Sequence, residues 1–170
     1  RENGHITRYS GTEGVNLDDV VSNFNPEIIG YGVCTGFHTY YASVNRKLKS
    51  KFSFISIFGG PHVTFFPEFI NEDGIDIVCR GEGEYPMLDL CNSLRDGKDI
   101  NQIKNLWIKE RNTIYKNEIR NLNKNLDDLP WPDRDTYYKL DKSFKEYGAK
   151  SFITTRGCPF SCSYCFNSSY

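Results

Sequence analysis

Three short apolar runs punctuate the first eighty residues: 27–34 (EIIGYGVC), 52–58 (FSFISIF) and 75–79 (IDIVC). Their apolar positions are largely consecutive, and they carry β-branched and aromatic side chains. That pattern belongs to strands buried on both faces, as in a parallel sheet covered by helices. Amphipathic stretches lie between and around the runs. Residues 17–24 place Leu17, Val20, Val21 and Phe24 on one face, with Asn16 or Asp18 as cap and Asn25-Pro26 as stop. Residues 37–50 turn Tyr40, Tyr41, Val44 and Leu48 inward. A short helix is predicted around 66–71, and a longer one over 85–95 that Gly97 stops. Strands and helices that alternate at this spacing predict an α/β fold with a parallel sheet.

From Asn105 the pattern changes. Residues 106–109 and 113–115 flank Glu110-Arg111-Asn112, a hairpin signal. Residues 116–128 are rich in Asn, Lys and Asp, as in a solvated linker. Leu129-Pro130-Trp131-Pro132-Asp133-Arg134 reads as a stiff tether, with Trp131 packed on a neighbour. Two weaker strands are expected, at 5–10 and at 150–155, and Gly4 reads as the stop of a helix over residues 1–4.

Composition narrows the function classes. The 170 residues carry a net charge of −1, which offers no nucleic-acid-binding surface. No run of about 18 apolar residues predicts a membrane span, and no signal-peptide pattern is present. A cytoplasmic location is therefore expected. The first residue is Arg and not Met, so the chain is expected to be a piece of a longer protein. Of the six cysteines, Cys34, Cys79 and Cys91 stand singly in apolar or helical contexts and read as small core residues.

Ligands of parallel α/β sheets sit beyond the carboxyl ends of the strands, at a reversal of strand order. Three glycine-bearing loops fall on that edge: Thr35-Gly36, Gly59-Gly60-Pro61-His62 and Gly81-Glu82-Gly83-Glu84. Glycine lets a ligand approach the backbone closely, although each loop taken singly is equally a turn chosen for geometry. Glu82 and Glu84 also suit the positive end of the following helix. His38 and His62 lie on the same edge and read as surface or locally hydrogen-bonded residues, not as metal ligands.

The densest chemistry is near the end of the chain: Cys158, Cys162 and Cys165, spaced Cys-x3-Cys-x2-Cys behind Arg156-Gly157. Thiolates are soft ligands for iron–sulfur clusters and zinc. A structural zinc site closes with four protein ligands, so three thiolates leave either a zinc knuckle completed elsewhere or a cluster with one iron open. With Tyr164 before the third cysteine, the motif resembles that of the radical S-adenosylmethionine (SAM) superfamily. The resemblance implies a [4Fe–4S] cluster on Cys158, Cys162 and Cys165, SAM on the open iron, and the Tyr164 ring beside the SAM adenine.

A second resemblance covers 27–95. The Ile-Ile-Gly-Tyr-Gly-Val strand, the Phe-Gly-Gly-Pro-His turn and the Asp-Ile-Val-Cys-Arg-Gly-Glu-Gly-Glu segment resemble the cobalamin (B12)-binding domain that precedes the radical SAM barrel in many enzymes. It implies a flavodoxin-like sheet with cobalamin across its carboxyl edge, near Thr35, Gly36, Gly59, Gly60, Gly81, Glu82 and Gly83. It also implies that the family's first, central strand lies upstream of Arg1, and that cobalamin can bind without a protein histidine; neither His38 nor His62 is expected to ligate cobalt. The domains then expected are 1–104, an N-terminally incomplete B12-binding domain; 105–149, hairpin and linker; and 150–170, the first strand and cluster loop of a truncated TIM-type barrel.

The implied activity is cobalamin-dependent radical SAM chemistry, with methyl transfer to an unactivated carbon as the expected outcome. The chain alone is expected to be inactive. The implied partners are a small-molecule substrate and an external electron donor such as flavodoxin or ferredoxin. Two alternatives stay open: a radical SAM enzyme, such as a cyclase, whose first domain no longer binds B12, and a non-enzymatic module stabilised by zinc or a cluster.

Overall fold

A computed structural model describes residues 4–12, 14–140, 142–150 and 152–167. The chain forms two compact units, Asn16–Asn121 and a second made of Arg1–Val15 with Leu122–Tyr170.

The first unit is built on a five-stranded sheet in the order β1-β2-β3-β4-β5. Strands β1 (Ile28–Gly32), β2 (Ile55–Gly59) and β3 (Ile77–Cys79) are parallel; β4 (Leu106–Glu110) and β5 (Thr113–Lys116) add to β3 antiparallel. The parallel α/β core is as expected, and the predicted hairpin completes the sheet, which makes it mixed. The order is sequential, so the expected reversal of strand order does not occur among the described strands.

The apolar runs become strands because helices cover both faces. On one face Tyr31, Val33, Phe58, Val78 and Trp107 pack with Ala42, Val63, Phe69 and Ile70. On the other, Ile57, Ile77, Leu106 and Ile108 pack with Leu90 and Ile103. Consecutive residues of β2 thus serve opposite cores, and Ile57 and Phe58 are 2% and 0% exposed.

Helix α1 (Leu17–Phe24) begins at the predicted cap: the Asn16 side chain accepts from Asp18 N at 3.2 Å. It ends at Asn25, whose φ of 47° is left-handed. Helix α2 (His38–Lys49) buries Ala42, Asn45 and Leu48, while Tyr40, expected inward, is 47% exposed. Asn45 takes an inward place because its Nδ2 donates to Gly74 O at 2.7 Å. The single short helix expected near 66–71 is two turns, α3 (Pro61–Phe65) and a 3-10 turn (Pro67–Asn71). Helix α4 (Glu84–Arg95) follows β3.

The second unit has little regular structure. Residues 126–146 hold a 3-10 turn (Leu126–Asp128), α5 (Arg134–Leu140) and α6 (Lys142–Glu146) where a linker was expected. Neither 5–10 nor 152–155 is a strand. A strand needs a neighbour to take its backbone hydrogen bonds, and none of the five strands pairs with either segment. Ser151, and residues 1–3 of the expected N-terminal helix, lie outside the described residues. Trp131, expected to be packed, is 86% exposed. Tyr9 and Tyr137 meet with ring centroids 4.6 Å apart.

Candidate functional site: the carboxyl edge of the sheet and a cysteine loop

The loops after β1, β2 and β3 converge, as parallel strands dictate. Val33 N donates to Gly59 O at 2.8 Å and His62 N donates to Val33 O at 3.2 Å, so the first two loops are joined through their backbones. Gly60 has φ 103°, and a Cβ there would lie 2.8 Å from Val33 O. Only glycine fits that approach. Thr35, Gly36, Gly59 and Gly60 are thereby brought together.

The short helix α3 supplies two further ties. The Thr35 hydroxyl and His62 Nδ1 share a hydrogen bond of 3.0 Å. The Thr64 hydroxyl donates to Gly60 O at 2.9 Å and accepts from Gly81 N at 3.0 Å. Asn105 holds the third loop from the start of β4. Its Nδ2 donates to Arg80 O at 2.8 Å, and its Oδ1 accepts from Arg120 N at 3.1 Å. Asn105 is 1% exposed and has φ 74°, a conformation that asparagine tolerates better than most residues. Gly81 (φ 69°) turns above it: a Cβ would lie 3.4 Å from Asn105 Nδ2 and 3.3 Å from Ile119 Cγ2.

Outward, the edge is open. A Cβ at Gly36 or Gly83 would meet nothing within 4 Å, and Thr35 is exposed. These backbones leave open space beside the strand ends, as a broad, flat cofactor laid across them would need.

His38 and His62 are not two separate surface residues. Their rings stack at 3.8 Å with an interplanar angle of 20°, and His62 is 8% exposed. Gly36 N donates to His38 Nδ1 at 3.3 Å. Burial, and secondarily the neighbouring His38, push the His62 pKa below its ordinary value. The pair borders a cleft of about 270 Å³ between α2 and the Pro61–Asn71 segment, with Arg46, Phe66, Glu68 and Phe69 among its walls.

Burial, with Glu84 adding to it, raises the Cys79 pKa to about 12, and burial raises that of Cys91. Both remain thiols at neutral pH; Cys79 is a core residue as expected, whereas Cys91 is half-buried on α4 and belongs to neither core. Cys34 corrects the expectation: it is exposed, because β1 ends at Gly32 and Cys34 already belongs to the open edge.

The cysteine loop is of another kind. Cys158 and Cys162 are exposed and Cys165 is half-buried, and none is in a disulfide. Gly157 has φ 79°, and Cys165 N donates to Cys162 O at 3.1 Å, so the segment is a succession of turns, as read from Gly157 and Pro159. Tyr164 is 91% exposed. Among the described residues no three His, Cys, Asp or Glu side chains form a group that could hold a metal ion. Three free thiols on a turn-rich loop are nevertheless the donor set a cubane cluster takes from a protein, with one iron left for another ligand.

Thr64 and Asn105 were missed by sequence reasoning. Thr64 carries no signal beyond its place two residues after His62. Asn105, just before an apolar strand, is the kind of residue that accepts a positive φ.

No helix among the described residues is long and apolar enough to cross a membrane.

No family profile matches the chain. An uncharacterised methyltransferase of Pyrococcus horikoshii is 34% identical over 155 residues, which is 88% of this chain and 33% of that protein. An anaerobic magnesium-protoporphyrin IX monomethyl ester cyclase of Synechocystis is 27% identical over 152 residues, 81% of this chain and 28% of that protein. The chain thus spans about a third or less of these relatives. Among solved structures, the cobalamin-dependent SAM radical enzyme OxsB, with aqua-cobalamin and SAM bound, superposes with a TM-score of 0.72 at 24% identity, over 89% of this chain and 22% of that one. The radical SAM methyltransferase TsrM of Kitasatospora setae, with tryptophan and a SAM analogue bound, gives a TM-score of 0.53 at 14% identity over 61% of this chain and 22% of that one.

Proposed function

Given a chain that resembles B12-binding-domain-containing radical SAM proteins in sequence and shares their fold, we propose that the intact protein is a cobalamin-dependent radical SAM enzyme that transfers a methyl group to an unactivated carbon. The observation that carries this reading is the presence in one chain of an open, glycine-lined sheet edge and a three-cysteine loop, the first on a fold shared with OxsB over 89% of the chain.

Cys158, Cys162 and Cys165 would hold the cluster through their thiolates, and Tyr164 would lie against the SAM adenine. When bound, a [4Fe–4S] cluster with SAM supplies reductive cleavage to methionine and a 5′-deoxyadenosyl radical, and methylcobalamin supplies a methyl group. The protein's part is to place these groups and exclude water. Thr35, Gly36, Gly59, Gly60, Gly81, Glu82 and Gly83 would form the floor under cobalamin. The Thr35 hydroxyl, tied to His62, and the side-chain-free backbone at Gly36 and Gly83 lie on this floor. His62 is turned to Thr35, and His38 accepts from Gly36 N; neither is assigned to cobalt. A small-molecule substrate and an external one-electron donor such as flavodoxin or ferredoxin complete the reaction. A cytoplasmic location suits oxygen-sensitive thiolate ligands.

The test is anaerobic incubation of the intact protein with SAM, a reductant and cobalamin. Formation of 5′-deoxyadenosine together with saturable cobalamin binding supports the reading. A second reading, cyclisation in place of methyl transfer, is favoured by the relationship to the Synechocystis cyclase. SAM cleavage with no methyl group reaching any product would favour it.

A further inference from the structure

The carboxyl edge contains a device that no comparison assigns. Helix α3 is a single turn that buries His62, Val63 and Thr64, and its two buried polar side chains reach in opposite directions along the edge. His62 bonds the hydroxyl of Thr35 in the loop after β1. Thr64 bonds Gly60 O behind it and Gly81 N in the loop after β3. Both are buried, at 8% and 7% exposure, while the loops they hold are half-buried or exposed. Asn105 anchors the far end of the same chain of hydrogen bonds through Arg80 O. Four sequence-distant segments are thus laced across the strand ends, and α3 is the knot.

We propose that His62 and Thr64 are positioning residues that hold the three loops at a fixed spacing before the cofactor arrives, and thereby set the affinity of the edge for cobalamin. This rests on the cobalamin reading above. The physical reason is preorganisation. A loop that samples several conformations binds in only one of them, and the apparent dissociation constant rises as the competent fraction falls. Neither side chain needs to touch the corrin for this. The stacked His38 ring and the Phe69 edge, at 5.3 Å from His62, fix the imidazole so that its Nδ1 faces Thr35.

The experiment uses the intact protein and two readouts. Amide hydrogen exchange without cofactor reports loop order; titration with aquacobalamin reports affinity. His62→Phe keeps the ring and removes Nδ1; Thr64→Val keeps the shape and removes the hydroxyl. The first should speed exchange at residues 35–37 and the second at residues 81–83. Each should raise the Kd for aquacobalamin about tenfold, the loss expected for one hydrogen bond's worth of ordering. His62→Asn and Thr64→Ser, which restore a polar atom, should recover most of the affinity, which a merely structural role would not produce. Should His62→Phe not fold, Thr35→Val breaks the same bond from an exposed position and is read by exchange at residues 35–37 without cofactor, because Thr35 itself belongs to the floor. Unchanged exchange, or faster exchange with unchanged Kd, overturns the lacing. Wild-type protein that binds no aquacobalamin overturns instead the reading of the edge on which it rests.

Discussion

The unit Asn16–Asn121 and the cysteine loop at 156–165 divide structure and chemistry between them in opposite ways. The first is held by two apolar cores on the faces of one sheet, and its candidate binding groups are backbone and small side chains fixed by that sheet. The second exposes nearly all its residues, has one backbone turn bond among its cysteines, and carries its chemistry in side chains. The difference teaches that a sheet edge can be shaped by folding alone, whereas a loop of exposed thiols is a donor set that only a bound metal would organise. Loss of the three cysteines should therefore leave the sheet intact, and damage to the sheet should leave the thiols in place.

The sharpest way to break that contrast is to replace Cys158, Cys162 or Cys165 by Ala. Each variant should lose iron binding and SAM cleavage completely while the melting temperature of the sheet unit stays unchanged; a cooperative loss of both would merge the two regions into one. Next in size is Phe58→Ala. Phe58 is fully buried and stacks on Tyr31 at 4.5 Å, so urea unfolding should show a loss of about 3–5 kcal/mol, with iron content per folded chain unaltered. Gly60→Ala comes third. A methyl group must enter within 2.8 Å of Val33 O at a φ of 103°, which should cost about 1–3 kcal/mol and loosen the edge.

The smallest effect is a pH dependence. The His62 pKa is depressed by burial and by His38, so the folded state favours its neutral form. Its contribution to stability is full above the unfolded value of about 6.5 and falls away as pH drops through that value toward the lower folded one. Thermal melts between about pH 8 and pH 5 should show the decline, and His62→Phe should flatten it.

Much of the sheet unit was legible because burial writes itself into sequence. The run at 75–79 reads as a strand between two apolar layers, and its last three residues form one; of the two caps offered for α1, Asn16 is the one that bonds. Element ends were less legible: 52–58 reads as one strand, but pairing with β1 begins only at Ile55, and pairing is a property of the partner. The hairpin's membership of the sheet could not be read either, since it depends on β3 offering its free edge to Leu106, Trp107 and Ile108. At the edge, the glycines stood out because a missing side chain is visible in sequence. The ties through Thr64 and Asn105 did not, because ordinary polar residues acquire their role from what folding puts opposite them. The cysteine spacing is sequence itself, and what the structure adds is that the three thiols are free and stand on one turn-rich loop. The segment around it was not legible: 150–155 has strand composition, yet among the described residues 152–155 joins no ladder.

The central claim is that three thiolates at Cys158, Cys162 and Cys165 serve a cluster with one iron open to SAM. Metal and sulfide analysis of the intact protein, produced and purified without oxygen, tests it most directly. The account predicts about four iron and four acid-labile sulfide per chain, with an absorbance that changes when SAM is added. Zinc in place of iron, without sulfide, would contradict it.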